Sequence, residues 1–181
     1  TDVEKDASMQ KQKAMMAAHY DRLTAVPQTG AKVCATFVPG NLNELIMCFD
    51  LVNNLPEVNA IQSGLRRVSG SYVMEAEKIG HSEDVCTYVK SDIGMIAKGN
   101  IAPNGQKFPD PDVLLLSYTG CFTFMKWFEL LRERYQCETI MLHTPYLGDG
   151  KITPNMVEYM VKQLKTEVIP KLERISGVKF D

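Results

Sequence analysis

Apolar residues along this chain fall into two alternating patterns, one typical of strands and one of helices. Residues 113–116 form an unbroken apolar run bounded by turn residues, which indicates a strand buried on both faces of a parallel sheet. Residues 31–38 and 139–142 predict two further strands, and residues 59–62 predict a short one. Turn residues follow two of these runs, at Pro39-Gly40-Asn41 and at Thr119-Gly120.

Segments with helical spacing lie between the strands. Ser82 is expected to cap a helix that runs to about Lys98, and Thr153 a long helix with Pro154 at its first position. Pro170 lies inside the apolar stripe of that long helix, so it must kink the helix or end it before Gly177. Further helices are predicted over residues 4–24, 42–52, 70–78 and 122–135.

Strands that alternate with helices predict an α/β fold, an open and mostly parallel sheet flanked by helices as in Rossmann or flavodoxin-like domains. Residues 1–29 are expected to form an amino-terminal helical segment, and residues 30–181 the α/β domain. The chain is interpreted as a fragment of a larger, multi-domain subunit whose later domains lie outside it.

Composition narrows the functional classes. Net charge is −2, without a basic excess, so neither a nucleic acid nor an anionic membrane surface is the expected partner. No apolar run has the length of a membrane span, and the polar start of the chain does not resemble a secretory signal. We therefore expect a cytoplasmic protein.

Several familiar motifs are absent from the sequence. It has no Gly-x-Gly-x-x-Gly, no Walker phosphate loop, no His-Glu-x-x-His and no Gly-x-Ser-x-Gly. It also has no Cys-x-x-Cys pair. ATP hydrolysis through a phosphate loop, or a complete cluster held by one local motif, is therefore not expected.

Five cysteines in a chain of 181 residues do not suggest a disulfide framework. Cys86 and Cys121 both fall near predicted helix starts, where the helix dipole favours the thiolate that binds metal. Two thiolates do not complete a tetrahedral site, so ordinary free thiols remain the alternative. The other three, Cys34, Cys48 and Cys137, are interpreted as core thiols.

Three further residues are candidates for catalysis. His81 precedes the Cys86 helix, and His143 follows a predicted strand towards the same crevice. Glu44 lies near the start of the predicted helix over residues 42–52. The alternatives are ordinary loop histidines and a carboxylate that interacts with the helix dipole.

Two longer motifs surround these cysteines, Asp-Val-Cys-Thr-Tyr-Val-Lys at 84–90 and the run 114–122, which ends Thr-Gly-Cys-Phe. They are similar to the two cysteine motifs of the benzoyl-CoA reductase/2-hydroxyacyl-CoA dehydratase family, which the chain resembles over nearly its whole length. Residues 142–146 and 37–45 resemble two further elements. The early element departs from the family pattern, because extra residues separate Pro39 from Glu44.

The resemblance implies a 4Fe–4S cluster held by three cysteines, two from the first domain and one from a later domain. Cys86 and Cys121 match the first two positions. The reductase branch, which the chain resembles most, implies a two-electron reductive dearomatisation of an aromatic acyl-CoA in anaerobic aromatic degradation. A second, C-type catalytic subunit, ATP-hydrolysing activator subunits and ferredoxin as electron donor would complete the complex.

Two other functions remain open. A 2-hydroxyacyl-CoA dehydratase component would share fold and cluster but remove water through a radical, and the preferred thioester would separate it from a reductase. A noncatalytic α/β interaction module would use its cysteines structurally, and a full-length subunit without iron and acid-labile sulfide would support that interpretation.

Overall fold

The structure, a computed structural model, describes residues 6–37, 42–101, 105–118 and 121–181. The turns expected at Pro39-Gly40-Asn41 and at Thr119-Gly120 lie outside the described residues. The strands are β1 (Val33–Thr36), β2 (Val52–Asn54), β3 (Val113–Tyr118) and β4 (Glu138–His143). The helices are α1 (Ala7–Thr24), α2 (Val26–Thr29), α3 (Asn43–Met47), α4 (Pro56–Leu65), α5 (Ser69–Lys78), α6 (Thr87–Ala97), α7 (Phe122–Tyr135), α8 (Pro154–Gln163) and α9 (Ile169–Ser176).

The described strands form a parallel sheet in the order β2-β1-β3-β4. β3 lies between β1 and β4, and its residues 113–116 are fully buried because helices cover both faces of the sheet. The predicted fold class, an open parallel α/β sheet with an amino-terminal helix, is therefore confirmed.

Alternate residues of β3 supply the cores on the two faces. Leu115 packs with Ile46 of α3 and with Leu172 of α9 on one face. The neighbouring Leu116 packs with Trp127 of α7 on the other face, together with Val89 of α6. Burying one such side chain contributes about 1.5–3 kcal/mol, so the sheet fixes the helices to its two faces.

The amino-terminal helix α1 belongs to a third apolar cluster. Tyr20 and Leu23 of α1 pack with Val33 of β1, Met95 of α6 and Phe108. The amino-terminal segment is thus attached to the first strand through buried side chains.

The helix predicted to kink or end at Pro170 is interrupted by a change of helix type and then continues to Ser176. α8 ends at Gln163, one wider π-helical turn (Leu164–Val168) follows, and α9 begins with Pro170 in its first turn. The first turn of a helix needs no donor from the proline nitrogen. Thr153 caps α8 by accepting a hydrogen bond from the Met156 amide, and Gly177 ends α9 with φ of 77°, both as predicted.

The helix predicted over residues 42–52 is wrong beyond Met47. The chain reverses at Asp50, which has φ of 54°, and continues into β2. Phe49 and Leu51 are buried around that reversal. Their apolar character is therefore explained by burial in a turn and not by a longer helix.

The strand predicted at residues 59–62 is also wrong, because these residues belong to α4, which begins at Pro56. Asn59 is buried there, donating to Asn54 Oδ1 at 2.9 Å and accepting from the Tyr20 hydroxyl at 3.2 Å. Proline is favoured in the first turn of a helix, and this signal outweighs the short apolar run.

The helix predicted to start at Ser82 begins at Thr87 instead. The Ser82 hydroxyl accepts a hydrogen bond from the Asp84 amide at 3.3 Å, which closes a local turn. The Glu83 carbonyl accepts from Lys90 Nζ at 2.7 Å. Cys86 is therefore the N-cap residue of α6 rather than a residue of its first turn.

No helix within the described ranges combines the length and the apolar character needed to span a bilayer.

Gly94 lies where α6 passes against the backbone of α5, and a β-carbon there would overlap the Tyr72 carbonyl group. We expect Gly94→Ala to lower the free energy of unfolding by about 1–3 kcal/mol, because backbone atoms cannot move aside easily. Urea denaturation of the purified protein measures this. Gly64→Ala in α4 is the matched control, since nothing lies within 4 Å of its added β-carbon. Equal losses in the two variants would contradict the close approach of α5 and α6.

Candidate functional site

The carboxyl ends of β1 and β3 mark the point where the chain connections diverge. The two strands are neighbours, yet the chain leaves β1 for β2 through α3 and leaves β3 for β4 through α7. Ile46 of α3 packs on one face of the sheet and Trp127 of α7 on the other. Open α/β sheets bind ligands in the crevice at such a point. Glu44 and Cys121 follow these two strands.

Cys121 is the N-cap residue of α7, three positions after the end of β3, and its thiol is free and exposed. The start of α7 is fixed beneath it, because the ring of Phe124 stacks on the ring of Phe37 with centroids 5.4 Å apart. Phe37 is buried just beyond β1. The sulfur is therefore carried by a well-packed helix start at the edge of the sheet.

Cys86 occupies the same position on α6, as an exposed N-cap residue with a free thiol. The turn before it is held by Lys90, whose ammonium group is buried and donates to both the Glu83 carbonyl and the Glu77 carboxylate at 2.7 Å. Val85 packs against the same apolar cluster as Trp127. Cys86 thus also belongs to a fixed helix start.

Two side-chain hydrogen bonds show that α6 and α7 run parallel and in register. Trp127 Nε1 donates to Asp92 Oδ2 at 2.8 Å, and Asn100 Nδ2, just beyond α6, donates to the Tyr135 hydroxyl at 3.3 Å. Each bond joins residues 35 positions apart. Cys86 and Cys121 are separated by the same 35 positions (121 − 86). The two cysteines are therefore equivalent positions at the amino ends of two parallel neighbouring helices.

The ends of these helices favour negatively charged ligand atoms. The first backbone N–H groups of a helix lack partners within it, and the helix dipole places partial positive charge there. Neither Cys86 nor Cys121 makes a side-chain capping hydrogen bond. Negatively charged ligand atoms placed at either helix start would face these N–H groups.

The three other predicted site residues lie on three different segments of the chain. Glu44 is exposed in the first turn of α3. His81 is partly exposed in the connection between α5 and α6, and its amide donates to the Ala76 carbonyl at 3.1 Å. His143 is exposed at the end of β4, where its backbone exchanges two hydrogen bonds of 2.9 Å with the Gln163 side chain. None of these contacts brings the three side chains together.

The remaining cysteines differ in burial. Cys34 is buried as predicted, and desolvation raises the pKa of its thiol. Cys137 is half-buried, and its burial raises its pKa to about 11. The prediction of a core thiol at Cys48 is wrong, because this residue is exposed at the end of the short helix α3. Phe49 takes the buried position next to it.

Within the described ranges, no group of three or more His, Cys, Asp or Glu side chains is arranged to hold a metal ion. Cys86 and Cys121 nevertheless form a suitable partial donor set, because both thiols are free, exposed and located at helix amino ends. Two sulfur ligands would leave the remaining positions of an iron–sulfur centre to groups outside the described residues.

Asp92 and Trp127 were not singled out from the sequence, although they connect the two helices that carry the cysteines. Both are buried. A signal was present, because a buried tryptophan normally requires an acceptor for its N–H, and an aspartate within an apolar helix can supply one. Their spacing of 35 positions equals that of the two cysteine motifs.

The fold defines a class of protein, the open parallel α/β domains, whose members bind ligands in a crevice at the carboxyl edge of the sheet. Residues 36–181 match the family of the 2-hydroxyglutaryl-CoA dehydratase D-component. The chain belongs to this family.

Individual relatives agree with this assignment. The chain is 69% identical to a benzoyl-CoA reductase subunit of Thauera aromatica, over 99% of the chain and 42% of that protein. It is 31% identical to the (R)-2-hydroxyisocaproyl-CoA dehydratase alpha subunit of Clostridioides difficile, over 76% of the chain and 33% of that protein. It is 27% identical to the (R)-phenyllactyl-CoA dehydratase alpha subunit of Clostridium sporogenes, over 70% of the chain and 30% of that protein. The chain thus spans less than half the length of these relatives.

Burial raises the pKa of Asp92 to about 7, and the Trp127 N–H opposes this shift in part. The folded protein therefore retains a proton that the unfolded chain releases, so stability should fall as pH rises from about 4 to about 7. We expect a slope on the order of 1 kcal/mol per pH unit in wild type and a flatter profile in Asp92→Asn. Urea denaturation across this pH range measures both. Superimposable profiles would show that Asp92 is not the titrating group.

Proposed function

We propose that this chain is the cluster-binding part of a catalytic subunit that reduces an aromatic acyl-CoA thioester. The observation that carries the proposal is the parallel pair of helices α6 and α7, whose N-cap residues are Cys86 and Cys121. Two exposed thiols at the amino ends of neighbouring parallel helices suit an inorganic centre that neither helix could bind alone.

The centre that fits this donor set is a 4Fe–4S cluster. Cys86 and Cys121 would supply two thiolates, and a third would come from a later domain of the subunit. When bound, such a cluster would supply low-potential electrons one at a time to the thioester. The amino ends of α6 and α7 would support the negative charge of the sulfur ligands.

An open apolar groove of about 280 Å³ lies at the carboxyl end of β4 and offers a place for the acyl group. Thr144 at its rim lies 3.5 Å, oxygen to oxygen, from Ser117 of β3, so the groove adjoins the strand that leads to Cys121. The apolar lining of the groove includes Pro145, Leu147, Ile152, Met156, Val157 and Met160.

The residues of this chain would position the substrate and donate protons to it. Leu147 and its neighbours would give the ring an apolar surface to pack against. His143, at the end of β4, is a candidate proton donor from this side of the sheet. Glu44 and His81 are candidates from the α3 side and from the connection that leads to Cys86. The ring would gain two electrons and two protons and become a cyclic diene.

The electron supply would come from other subunits in the cytoplasm. ATP-hydrolysing activator subunits, themselves reduced by ferredoxin, would pass electrons to this subunit and to a second, C-type catalytic subunit. The lack of a phosphate-loop motif in this sequence agrees with ATP being used elsewhere.

Sequence similarity favours reduction over dehydration. Identity to the reductase subunit is 69%, whereas identity to the two dehydratase subunits is 31% and 27%. We therefore propose the reductase activity first, and dehydration of a 2-hydroxyacyl-CoA as the alternative.

Iron content tests the cluster assignment. Cys86→Ser and Cys121→Ser should each lower iron and acid-labile sulfide in the anaerobically purified full-length subunit, because serine is a poor substitute for a thiolate ligand. Cys48→Ser, at an exposed cysteine on the other face of the sheet, is the matched control and should keep the wild-type content. If all three variants and the wild type lack iron, the noncatalytic interaction module is the better description.

Substrate preference tests the activity. The complex assembled with its activator should reduce benzoyl-CoA and leave 2-hydroxyacyl-CoA thioesters largely unchanged. Leu147→Asp should raise the KM for benzoyl-CoA by about tenfold, since a carboxylate in an apolar groove disfavours the ring. Initial rates with each thioester provide the measurement. Faster turnover of a 2-hydroxyacyl-CoA would establish the dehydratase alternative.

A further inference from the structure

We infer that the hydrogen bond between Asp92 and Trp127 is the brace that sets the spacing of Cys86 and Cys121. Asp92 and Trp127 are then positioning residues, which act on the metal centre through the two helices that carry its ligands. The inference rests on the proposed function, since it assigns a purpose to the brace only if the two thiols share one centre.

The brace lies at the same depth below both cysteines. Asp92 follows Cys86 by six positions and Trp127 follows Cys121 by six. At a rise of about 1.5 Å per residue, the bond lies about 9 Å from each helix start. It connects the two helices close to the ends whose separation decides whether the thiols can share a ligand.

Apolar packing holds both helices on the sheet. Val89, Trp127 and Phe128 lie in one apolar cluster between the helices and the sheet. Such packing is non-directional, so it defines the sliding and rotation of one helix relative to the other less sharply than a directional contact does. A hydrogen bond of 2.8 Å has a preferred length and angle, and it restricts that sliding and rotation at one defined point.

The chemistry of Asp92 supports a specific role. Its carboxyl is buried, and burial disfavours its charged form. An apolar side chain there would fill the interface without that penalty. Buried polar groups are known to specify the register of packed helices in some proteins.

The opposite side of α6 is already fixed. Gly94 passes against the Tyr72 backbone of α5, and Lys90 pairs with Glu77 of α5 at 2.7 Å. α6 therefore has a set position relative to α5, and the brace transfers this position to α7. The position of Cys121 relative to Cys86 follows from that transfer.

Cross-linking of the two thiols measures their spacing without the metal. The full-length subunit, freed of iron and kept reduced, is treated with a short bifunctional maleimide, and the peptide that links Cys86 to Cys121 is quantified by mass spectrometry. We expect the link in wild type, and about a tenfold lower yield in Asp92→Val, because small misplacements of reacting groups have large effects on rate. Asp92→Asn, which keeps an acceptor for Trp127, should restore most of the yield.

Two further variants separate spacing from general stability. Trp127→Phe removes the donor but keeps an aromatic ring, and it should lower the link as Asp92→Val does. Tyr135→Phe removes the hydrogen bond at the far ends of the same helices and should leave the link unchanged. Circular dichroism identifies any variant that does not fold, and the Asp92→Asn and Trp127→Phe pair then carries the test.

The brace is overturned if Asp92→Val and Trp127→Phe cross-link as well as wild type, if Tyr135→Phe lowers the link equally, or if the wild type does not form it. A changed EPR spectrum of the reduced cluster in Trp127→Phe, with a wild-type spectrum in Tyr135→Phe, would extend the inference to the loaded subunit. If the link depends on Asp92 but Cys86→Ser keeps its iron, the brace stands and the proposed function fails.

Discussion

The parallel alignment of α6 and α7 is the constraint on which the candidate site depends. Two hydrogen bonds, Trp127 to Asp92 and Asn100 to Tyr135, join these helices with one constant offset in sequence. The same offset separates Cys86 from Cys121. Because the helices begin at these two residues, a pair of thiols distant in sequence lies at one end of one helix pair.

The sheet explains why these helices are parallel. α6 leads into β3 and α7 leads out of it, and both pack on the face that includes Leu114 and Leu116. A crossover helix in a parallel sheet runs opposite to its strands, so neighbouring helices on one face start at the same edge. Two helix starts with their partial positive charges are thereby placed beside the crevice between β1 and β3.

Much of this arrangement could be predicted from the sequence. The buried run of β3 and the helix after it follow from periodicity, and the interruption before Pro170 follows from the missing amide hydrogen. The errors have different causes. Phe49 is buried in a turn, so its burial mimicked the periodicity of a longer helix, whereas residues 59–62 lie in a helix that begins at Pro56. At Ser82, a local turn and the hydrogen bond from Lys90 to the Glu83 carbonyl occupy the segment where the helix was expected to start, and the helix begins at Thr87 instead.

The site was less accessible from the sequence than the fold. Residue type and position favoured Cys86 and Cys121, but Cys48 looked like a core residue and is exposed. The Asp92–Trp127 contact joins residues on different helices, and local patterns do not report such a pairing. Only the three-dimensional arrangement relates the spacing of this contact to the spacing of the cysteines.

Diffraction from anaerobically grown crystals of the full-length subunit, recorded at the iron absorption edge, tests the shared metal centre most directly. We expect one anomalous peak bonded by sulfur from both Cys86 and Cys121. Iron bonded to only one of these sulfurs, or a peak elsewhere in the subunit, would contradict a centre held jointly by α6 and α7.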